Sequence, residues 1–289
     1  MFACNLFGID RQVYYRRIKR KINKEAKAIE VVSMINQVRK TMPRLGGKKS
    51  YHILMDDLKS MKIGRDKLFD ILRANHLLIQ PKRRYHVTTN SHHHFRKHQN
   101  QILDLEINRP DQVWVSDITY IGKREKPCYL SIVTDAYSKK IMGYYVADNM
   151  NTESSVKALN MAIKQRKNNK MPLIHHSDRG LQYCANDYQN TLIKNGILPS
   201  MPQNSDPYEN AVAERINGIL KQEFMIDKYN LDLKMMKQIV KESVNIYNEL
   251  RPHYSNYMLT PNKMHLQSQI KMRTYKTKNT CKNVLQVFN

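Results

Sequence analysis

Apolar residues recur at helical spacing in the first third of the chain. In residues 26–42 they lie three or four positions apart, at Ala28, Val31, Val32, Ile35 and Val38. This spacing is typical of the buried face of an amphipathic α-helix and predicts a helix over this range. Similar patterns predict helices over residues 50–61 and 65–75, with Gly64 in the turn between them. Residues 1–80 are therefore predicted to form an all-α region.

The helices over residues 50–61 and 65–75 form a candidate helix-turn-helix motif, because they meet at a tight glycine-containing turn. The second helix carries Arg65, Lys67 and Arg73, and a helix that enters a DNA groove needs such basic side chains. We therefore predict that these three residues contact DNA. A purely structural helical packing is the alternative, since many small helical domains share this pattern.

Beyond residue 110 the pattern changes to short runs of β-branched and aromatic residues. Three runs, over residues 113–121, 128–136 and 140–147, are separated by short turns and predict an antiparallel three-stranded meander. The other predicted elements are helices over residues 152–165, 185–195, 211–224 and 235–248 and short strands over residues 172–177 and 197–201. The order β-β-β-α-β-α-β-α predicts an α/β fold of the ribonuclease-H kind.

The segments on either side of this α/β domain are basic, and their apolar residues show neither helical nor strand spacing. Residues 81–108 are predicted to be a basic linker, residues 109–265 the α/β domain, and residues 266–289 a basic C-terminal tail.

Charge adds information about partners. The 289 residues include 49 Lys and Arg against 25 Asp and Glu, a formal net charge of +24. Residues 1–100 hold 23 of the basic and 7 of the acidic residues, so the first third of the chain carries about two-thirds of the excess positive charge. A polyanion such as nucleic acid is the partner that this charge favours, and a merely solvated face is the alternative.

Composition also excludes some classes of protein. The chain has no apolar run long enough to cross a membrane, so no membrane association is expected. Its start lacks the pattern of a secretory signal. The four cysteines are scattered without pairing or zinc-like spacing, which favours the reducing cytoplasm.

Three acids of the α/β domain are candidates for chemistry. Asp117 lies inside an otherwise apolar predicted strand, where a carboxylate costs several kcal/mol unless it is paired or binds a cation. Asp178 follows the fourth predicted strand, and Glu214 lies on the helix over residues 211–224. In a ribonuclease-H fold the first and fourth strands are neighbours, so the three acids are expected to converge. Taken singly, they could instead pair with a buried arginine, cap the turn before Gly180, or be solvated.

Converging carboxylates repel one another unless a divalent metal neutralises them. An all-oxygen ligand set favours Mg²⁺ or Mn²⁺, and two such ions form the usual arrangement for in-line phosphoryl displacement. Asn210 lies four residues before Glu214 and is predicted either to orient substrate DNA or a metal-bound water, or to cap the helix.

Four stretches of the chain resemble the DDE transposases of bacterial insertion sequences, in the IS-three-type family related to retroviral integrases. They are WVSDITYI around Asp117, HHSDRGLQY around Asp178, SMPQNSDPYENAVAERINGILKQE around Glu214, and YNELRPHYSNYMLTP over residues 247–261. The resemblance implies an integrase-core domain in which Asp117, Asp178 and Glu214 are metal-binding catalytic acids. It also implies that Lys221, two helical turns beyond Glu214, touches the transposon end.

The resemblance implies that the protein cleaves DNA at the ends of an insertion sequence and joins the freed 3′-hydroxyl to a target. Its expected partners are double-stranded DNA, in the terminal inverted repeats and the target, and further copies of itself, at least as a dimer. An upstream-frame product is a further partner implied by the family. The alternatives are a non-catalytic helix-turn-helix regulator and a ribonuclease-H-like nuclease without strand transfer.

Overall fold

The computed structural model describes residue 8 and residues 10–80, 98–102, 105–122, 127–167, 171–202 and 211–267. The chain divides into two compact units. One comprises Met1–Val87 with Gln222–Met225, and the other comprises Thr88–Lys221 with Ile226–Asn289.

The first unit is helical, as predicted. Its helices are α1 (Arg11–Thr41), α2 (Gly47–Ile53), α3 (Met55–Ser60) and α4 (Arg65–Ala74). Its core contains the fully buried residues Val31, Ile35, Leu58, Leu68 and Leu72.

Two helix boundaries in this unit differ from the prediction. Helix α1 begins fifteen residues before the predicted start at residue 26, because Asp10 caps it by accepting a hydrogen bond of 2.7 Å from the Gln12 amide. The helix predicted over residues 50–61 is divided at Leu54, whose ψ of 17° departs from helical geometry.

The second unit contains a five-stranded mixed sheet. Its strands are β1 (Val113–Ile121), β2 (Cys128–Asp135), β3 (Ile141–Ala147), β4 (Leu173–Ser177) and β5 (Ile197–Ser200). They are ordered β3-β2-β1-β4-β5, with β2 antiparallel to both β1 and β3, and β4 parallel to both β1 and β5. The predicted meander, the α/β class and the pairing of the first and fourth strands are all confirmed.

The helices of this unit are α5 (Thr152–Gln165), α6 (Leu181–Cys184), α7 (Asn186–Lys194), α8 (Ala211–Gln222), α9 (Leu233–Glu249) and α10 (Pro261–His265). A buried cluster that includes Trp114, Met142 and Leu159 joins the sheet to α5 and α7. A second cluster that includes Val113, Val115 and Ala213 joins the sheet to α8. The helix predicted over residues 185–195 corresponds to α7, and the structure adds α6 just before it.

The C-terminal part of this unit holds the turn between β2 and β3. The Tyr247 hydroxyl donates to the Lys139 carbonyl at 2.8 Å, and the Asn256 amide donates to the Ser138 carbonyl at 2.6 Å. Asn248 pairs with both backbone groups of Ile141 at 3.0 Å. The stretch over residues 247–261 therefore fixes the turn between β2 and β3 through side-chain hydrogen bonds.

A buried acid completes this arrangement. Asp135 lies at the end of β2, where its Oδ1 accepts hydrogen bonds of 2.7 Å from both the amide and the hydroxyl of Ser138. The Nδ1 of His265 lies 3.7 Å from the same carboxylate oxygen. Burial raises the pKa of Asp135, but His265 and the Ser138 hydrogen bonds outweigh burial and hold that pKa below its ordinary value. This carboxylate therefore ties α10 to the sheet.

Among the described helices, none is both long and apolar enough to span a bilayer.

Candidate active site

The register of β1 and β4 places two of the candidate acids side by side. Ser116 of β1 is paired with Ser177 of β4, and the next residues along the two parallel strands are Asp117 and Asp178. Asp178 is the first residue after β4, so its side chain is exposed beyond the edge of the pairing. The predicted adjacency of these two acids follows from this register.

The surroundings of Asp117 raise the pKa of its carboxyl group. Burial, the charge of Asp178 and, more weakly, the charge of Glu214 raise the pKa of Asp117 to about 7, against hydrogen bonds that lower it. Those hydrogen bonds come from the Ile118 amide at 2.9 Å and from the Asn217 side chain at 2.7 Å. Asp117 thus lies within electrostatic reach of both other candidate acids.

Asp178 is held by a local turn. Its Oδ1 accepts a hydrogen bond of 3.0 Å from the Gly180 amide. A Cβ atom at position 180 would lie only 3.0 Å from this same carboxylate oxygen, which is tighter than ordinary contact. The turn predicted as an alternative role for Asp178 is therefore present, and it leaves the carboxylate exposed at the strand end.

Helix α8 carries three functional candidates along one side. Glu214 is exposed, Asn217 lies one turn further and is buried, and Lys221 lies one turn further again. The Asn217 Nδ2 donates to Asp117 Oδ2 at 2.7 Å, which connects α8 to β1. Sequence reasoning overlooked Asn217, although its position three residues after Glu214 places it on the same helical face.

Lys221 lies against an aromatic ring. Its Nζ is 4.1 Å from the centroid of the Tyr120 ring, a cation–π distance. Burial lowers the pKa of Lys221, whereas Asp117 and Asp227 act to raise it. The predicted DNA-contact residue is therefore close enough to interact electrostatically with Asp117.

The histidines that precede Asp178 have structural roles. His175 Nε2 lies 2.7 Å from the Ser116 hydroxyl and 2.9 Å from the Tyr188 hydroxyl. Burial, with a smaller contribution from His176, lowers the pKa of His175 to about 3, so its ring is neutral. Burial likewise lowers the pKa of His176 to about 4. The His175 ring connects β4 to Ser116 of β1, and the His176 Nδ1, 3.0 Å from the Ser200 hydroxyl, connects β4 to β5.

The chemistry of the three acids suits a hard divalent cation, although their geometry does not by itself form a binding site. Among the residues that the structure describes, no group of three or more His, Cys, Asp or Glu side chains is placed to hold a metal ion. The donor set is nevertheless all oxygen, and a cation would favour the ionised form of Asp117 against the burial and the neighbouring charges that raise its pKa. The assignment of Asp117, Asp178 and Glu214 as metal ligands therefore stays a prediction.

The predicted DNA-contact residues of α4 are all exposed. Arg65 pairs with Asp66 at 3.0 Å, and Arg73 pairs with Asp70 at 2.8 Å. Lys67 lies between these pairs on the same helix. Asn210 lies outside the described residues.

Comparison with known proteins gives consistent matches. Residues 107–207 match one family model described as an integrase core domain, and residues 195–261 match a second model of the same description. The chain is 30% identical over 254 residues to the insertion element IS600 uncharacterized 31 kDa protein of Shigella sonnei, covering 86% of this chain and 92% of that protein. It is 32% identical over 151 residues to transposase InsF for insertion sequence IS3A of Escherichia coli strain K12, covering 52% of each chain.

Among solved structures, the fold is similar to the HTLV-2 integrase catalytic core domain in complex with magnesium. The TM-score is 0.44 at 19% identity, and the match covers 54% of this chain and 97% of that chain.

Proposed function

Because the chain belongs to the IS-three-type transposases of bacterial insertion sequences, which share the integrase core, we propose that Asp117, Asp178 and Glu214 catalyse its DNA cleavage and strand transfer. The observation that carries the proposal is geometric: the pairing of Ser116 with Ser177 places Asp117 and Asp178 next to each other on adjacent strands, and α8, which carries Glu214, is hydrogen-bonded to Asp117. Burial and the charges of the two other acids raise the pKa of Asp117 to about 7, which supports it. Perturbed carboxylates of this kind concentrate at functional sites.

The proposed cofactors are two Mg²⁺ or Mn²⁺ ions, held by Asp117, Asp178 and Glu214. When bound, such ions neutralise the three carboxylates and activate the attacking oxygen of a phosphoryl displacement. Asn217 supports this role from the protein side, because its hydrogen bond fixes the orientation of the Asp117 carboxylate and lowers its pKa. The ionised form of Asp117 is the one that a cation requires.

The proposed reaction has two in-line steps at one site. Water attacks a phosphodiester at the transposon end, the P–O3′ bond breaks, and a free 3′-hydroxyl leaves. That hydroxyl then attacks a target phosphodiester, forming one P–O bond as another breaks. No covalent enzyme intermediate and no energy cofactor are needed, since one phosphodiester is exchanged for another. The Lys221 ammonium, which interacts electrostatically with Asp117, would contact a phosphate of the transposon end.

DNA binding and assembly complete the proposal. The terminal inverted repeats are the proposed specific DNA partner of the helical unit, through Arg65, Lys67 and Arg73 on α4. Joining two transposon ends requires at least two copies of the protein. An upstream-frame product is proposed as an additional partner.

The proposal is tested with the purified full chain, Mg²⁺, and duplexes that carry the inverted repeats flanking the coding region. We expect Asp117→Asn to abolish both cleavage and strand transfer while the variant still binds the duplex. Asp187→Asn, at an exposed acid on α7, is the matched control and should retain both activities.

The products separate the alternatives. DNA binding without cleavage by the wild-type chain would support the non-catalytic regulator. Cleaved ends without joined products would support a nuclease. Cleavage that survives in Asp117→Asn would disprove the assignment of the acids.

A further inference from the structure

The N-terminal half of α1 is an exposed basic arm, defined here as residues 10–26. We propose that this arm is a phosphate-binding surface for duplex DNA and that it contributes more of the DNA contact than α4 does. The inference rests on the proposed function for its partner, DNA, and adds a binding site to it.

The arm has no protein surface against it in the described part of the chain. Every residue from 10 to 26 is exposed, and the buried face of α1 begins at Val31. Lys27, whose Nζ donates to the Met61 carbonyl at 2.9 Å, marks the point where the helix joins its unit. At 1.5 Å per residue the arm is about 26 Å long, enough to lie along a DNA groove.

The charge of the arm is largely uncompensated. It contains seven Lys and Arg residues against Asp10 and Glu25. Among the described residues, the one ion pair within the arm is Lys21–Glu25, at 3.9 Å and exposed. Such a pair contributes little. A polyanion is therefore the chemical complement of this helix.

Three of the seven basic residues form a row along one side of the arm. Arg16, Arg20 and Lys24 are spaced four apart, so they form a row in which like charges repel one another. This repulsion weakens the free helix, and phosphate binding would relieve it. Tyr15, Ile18 and Ile22, which are 55%, 37% and 58% exposed, lie on the opposite side. The row of three basic residues therefore lies apart from these three apolar side chains, and Arg11 adds a positive charge over the Tyr15 ring, 5.6 Å from its centroid.

Helix α4 offers less positive charge to DNA. It carries three basic residues against two acids, and both of its arginines are already paired, Arg65 with Asp66 and Arg73 with Asp70. Phosphate contact at these arginines must compete with those neighbouring carboxylates. The arm therefore offers more uncompensated positive charge for phosphate contacts than α4, the predicted recognition helix.

The experiment measures how binding of the full chain to duplex DNA depends on salt. The arm variant combines Arg16→Gln, Arg17→Gln, Arg20→Gln and Lys24→Gln. We expect the slope of log K against log salt to fall by roughly 3–4 for this variant, since each lost phosphate contact removes about 0.9. The loss should be similar for an inverted-repeat duplex and for an arbitrary duplex, because phosphate contacts carry no sequence information.

The matched control removes the charge of α4 through Arg65→Gln, Lys67→Gln and Arg73→Gln, and its slope should change by about 1 or less. A second arm variant, with Arg16→Lys, Arg17→Lys and Arg20→Lys, conserves the positive charge and should therefore retain the wild-type slope. Unchanged thermal unfolding of each variant verifies folding, which is expected because the arm contacts no core residue.

A wild-type slope in the arm glutamine variant, or a larger loss in the α4 variant, would overturn the inference while leaving the catalytic proposal intact. A wild-type chain that binds no duplex would overturn both. A third variant, Ile18→Ser with Ile22→Ser, distinguishes a protein partner on the apolar side. Loss of self-association and of DNA binding in that variant, with no effect of the arm glutamines, would assign the arm to a second copy of the chain instead.

Discussion

Asn217 and Asp117 are joined by a hydrogen bond of 2.7 Å between Nδ2 of the amide and Oδ2 of the carboxylate. The bond connects α8, which carries Glu214, to the central strand β1, which carries Asp117. It also lowers the pKa of Asp117, against burial and the two neighbouring acids. Asn217 is therefore placed to orient one candidate catalytic acid and to keep it ionisable.

Substitution of Asn217 should impair catalysis without impairing DNA binding. In Asn217→Ala the lost hydrogen bond lets the Asp117 pKa rise further, so less of the carboxylate is ionised at neutral pH. We expect single-turnover end cleavage to slow at least about tenfold at pH 7 and to recover partly at pH 9. A pH–rate profile of wild-type and variant proteins measures this effect.

Gly218→Ala is the matched control on the same helix. A Cβ at this position meets no atom within 4 Å, so this change should leave the cleavage rate unaltered and stabilise α8 by about 1 kcal/mol. If Asn217→Ala slows cleavage equally at pH 7 and pH 9, the amide acts on something other than the ionisation of Asp117.

Asp117 should lower the stability of the metal-free protein at neutral pH. The pKa of Asp117 is about 7 in the folded state and near 3.8 when unperturbed. Between about pH 4 and pH 7 the folded protein therefore holds a proton on Asp117 that the unfolded chain has released. Stability therefore falls as pH rises from about 4 to 7, and the loss is complete above pH 7. We expect Asp117→Asn to match wild type near pH 4 and to be more stable by about 2–4 kcal/mol at pH 8 without metal.

Chemical denaturation at both pH values, with and without Mg²⁺, measures this difference. Added Mg²⁺ should narrow it, because only the wild-type site gains from binding the ion. If the two proteins are equally stable at pH 8 in EDTA, ionisation of Asp117 does not destabilise the folded state, and the prediction is wrong.

The strands were predictable from sequence because their residues alternate between buried and exposed faces or are buried on both. The run over residues 113–121 coincides with β1, and Asp117 was singled out because it is a carboxylate within an otherwise apolar strand; the structure shows it half-buried. The arm of α1 was not predictable by the same rule, because helical periodicity detects a buried face and residues 10–26 have none. Asn217 was overlooked for a related reason: a neutral amide gains significance only when the acid beside it is known.

The hydrogen bonds between the C-terminal segment, residues 247–261, and the β2–β3 turn should contribute strongly to the stability of the fold. Asn256 is fully buried and donates to the Ser138 carbonyl at 2.6 Å. Asn256→Ala leaves this buried carbonyl unpaired, which should cost about 2 kcal/mol and lower the melting temperature by about 4–8 °C. Tyr254→Ala is the neighbouring control. The Tyr254 side chain is 55% exposed, so its truncation should cost much less stability than Asn256→Ala. Thermal unfolding of both variants decides the point, and a neutral Asn256→Ala would contradict it.

Gly143 allows β3 and α5 to pack closely, so its substitution by alanine should destabilise the protein strongly. A Cβ added there would clash with the Ala158 carbonyl oxygen and lie 2.7 Å from the Ala162 amide nitrogen, and both are backbone atoms that cannot rotate away. Helix α5 must therefore move outward in Gly143→Ala, which would open the buried cluster around Met142 and Leu159. We expect a loss of about 3 kcal/mol or more in the free energy of unfolding, measured by urea denaturation, with Gly218→Ala as the stabilised counterpart. If Gly143→Ala is as stable as wild type, β3 and α5 are far enough apart to accept a Cβ at this position, and the prediction is wrong.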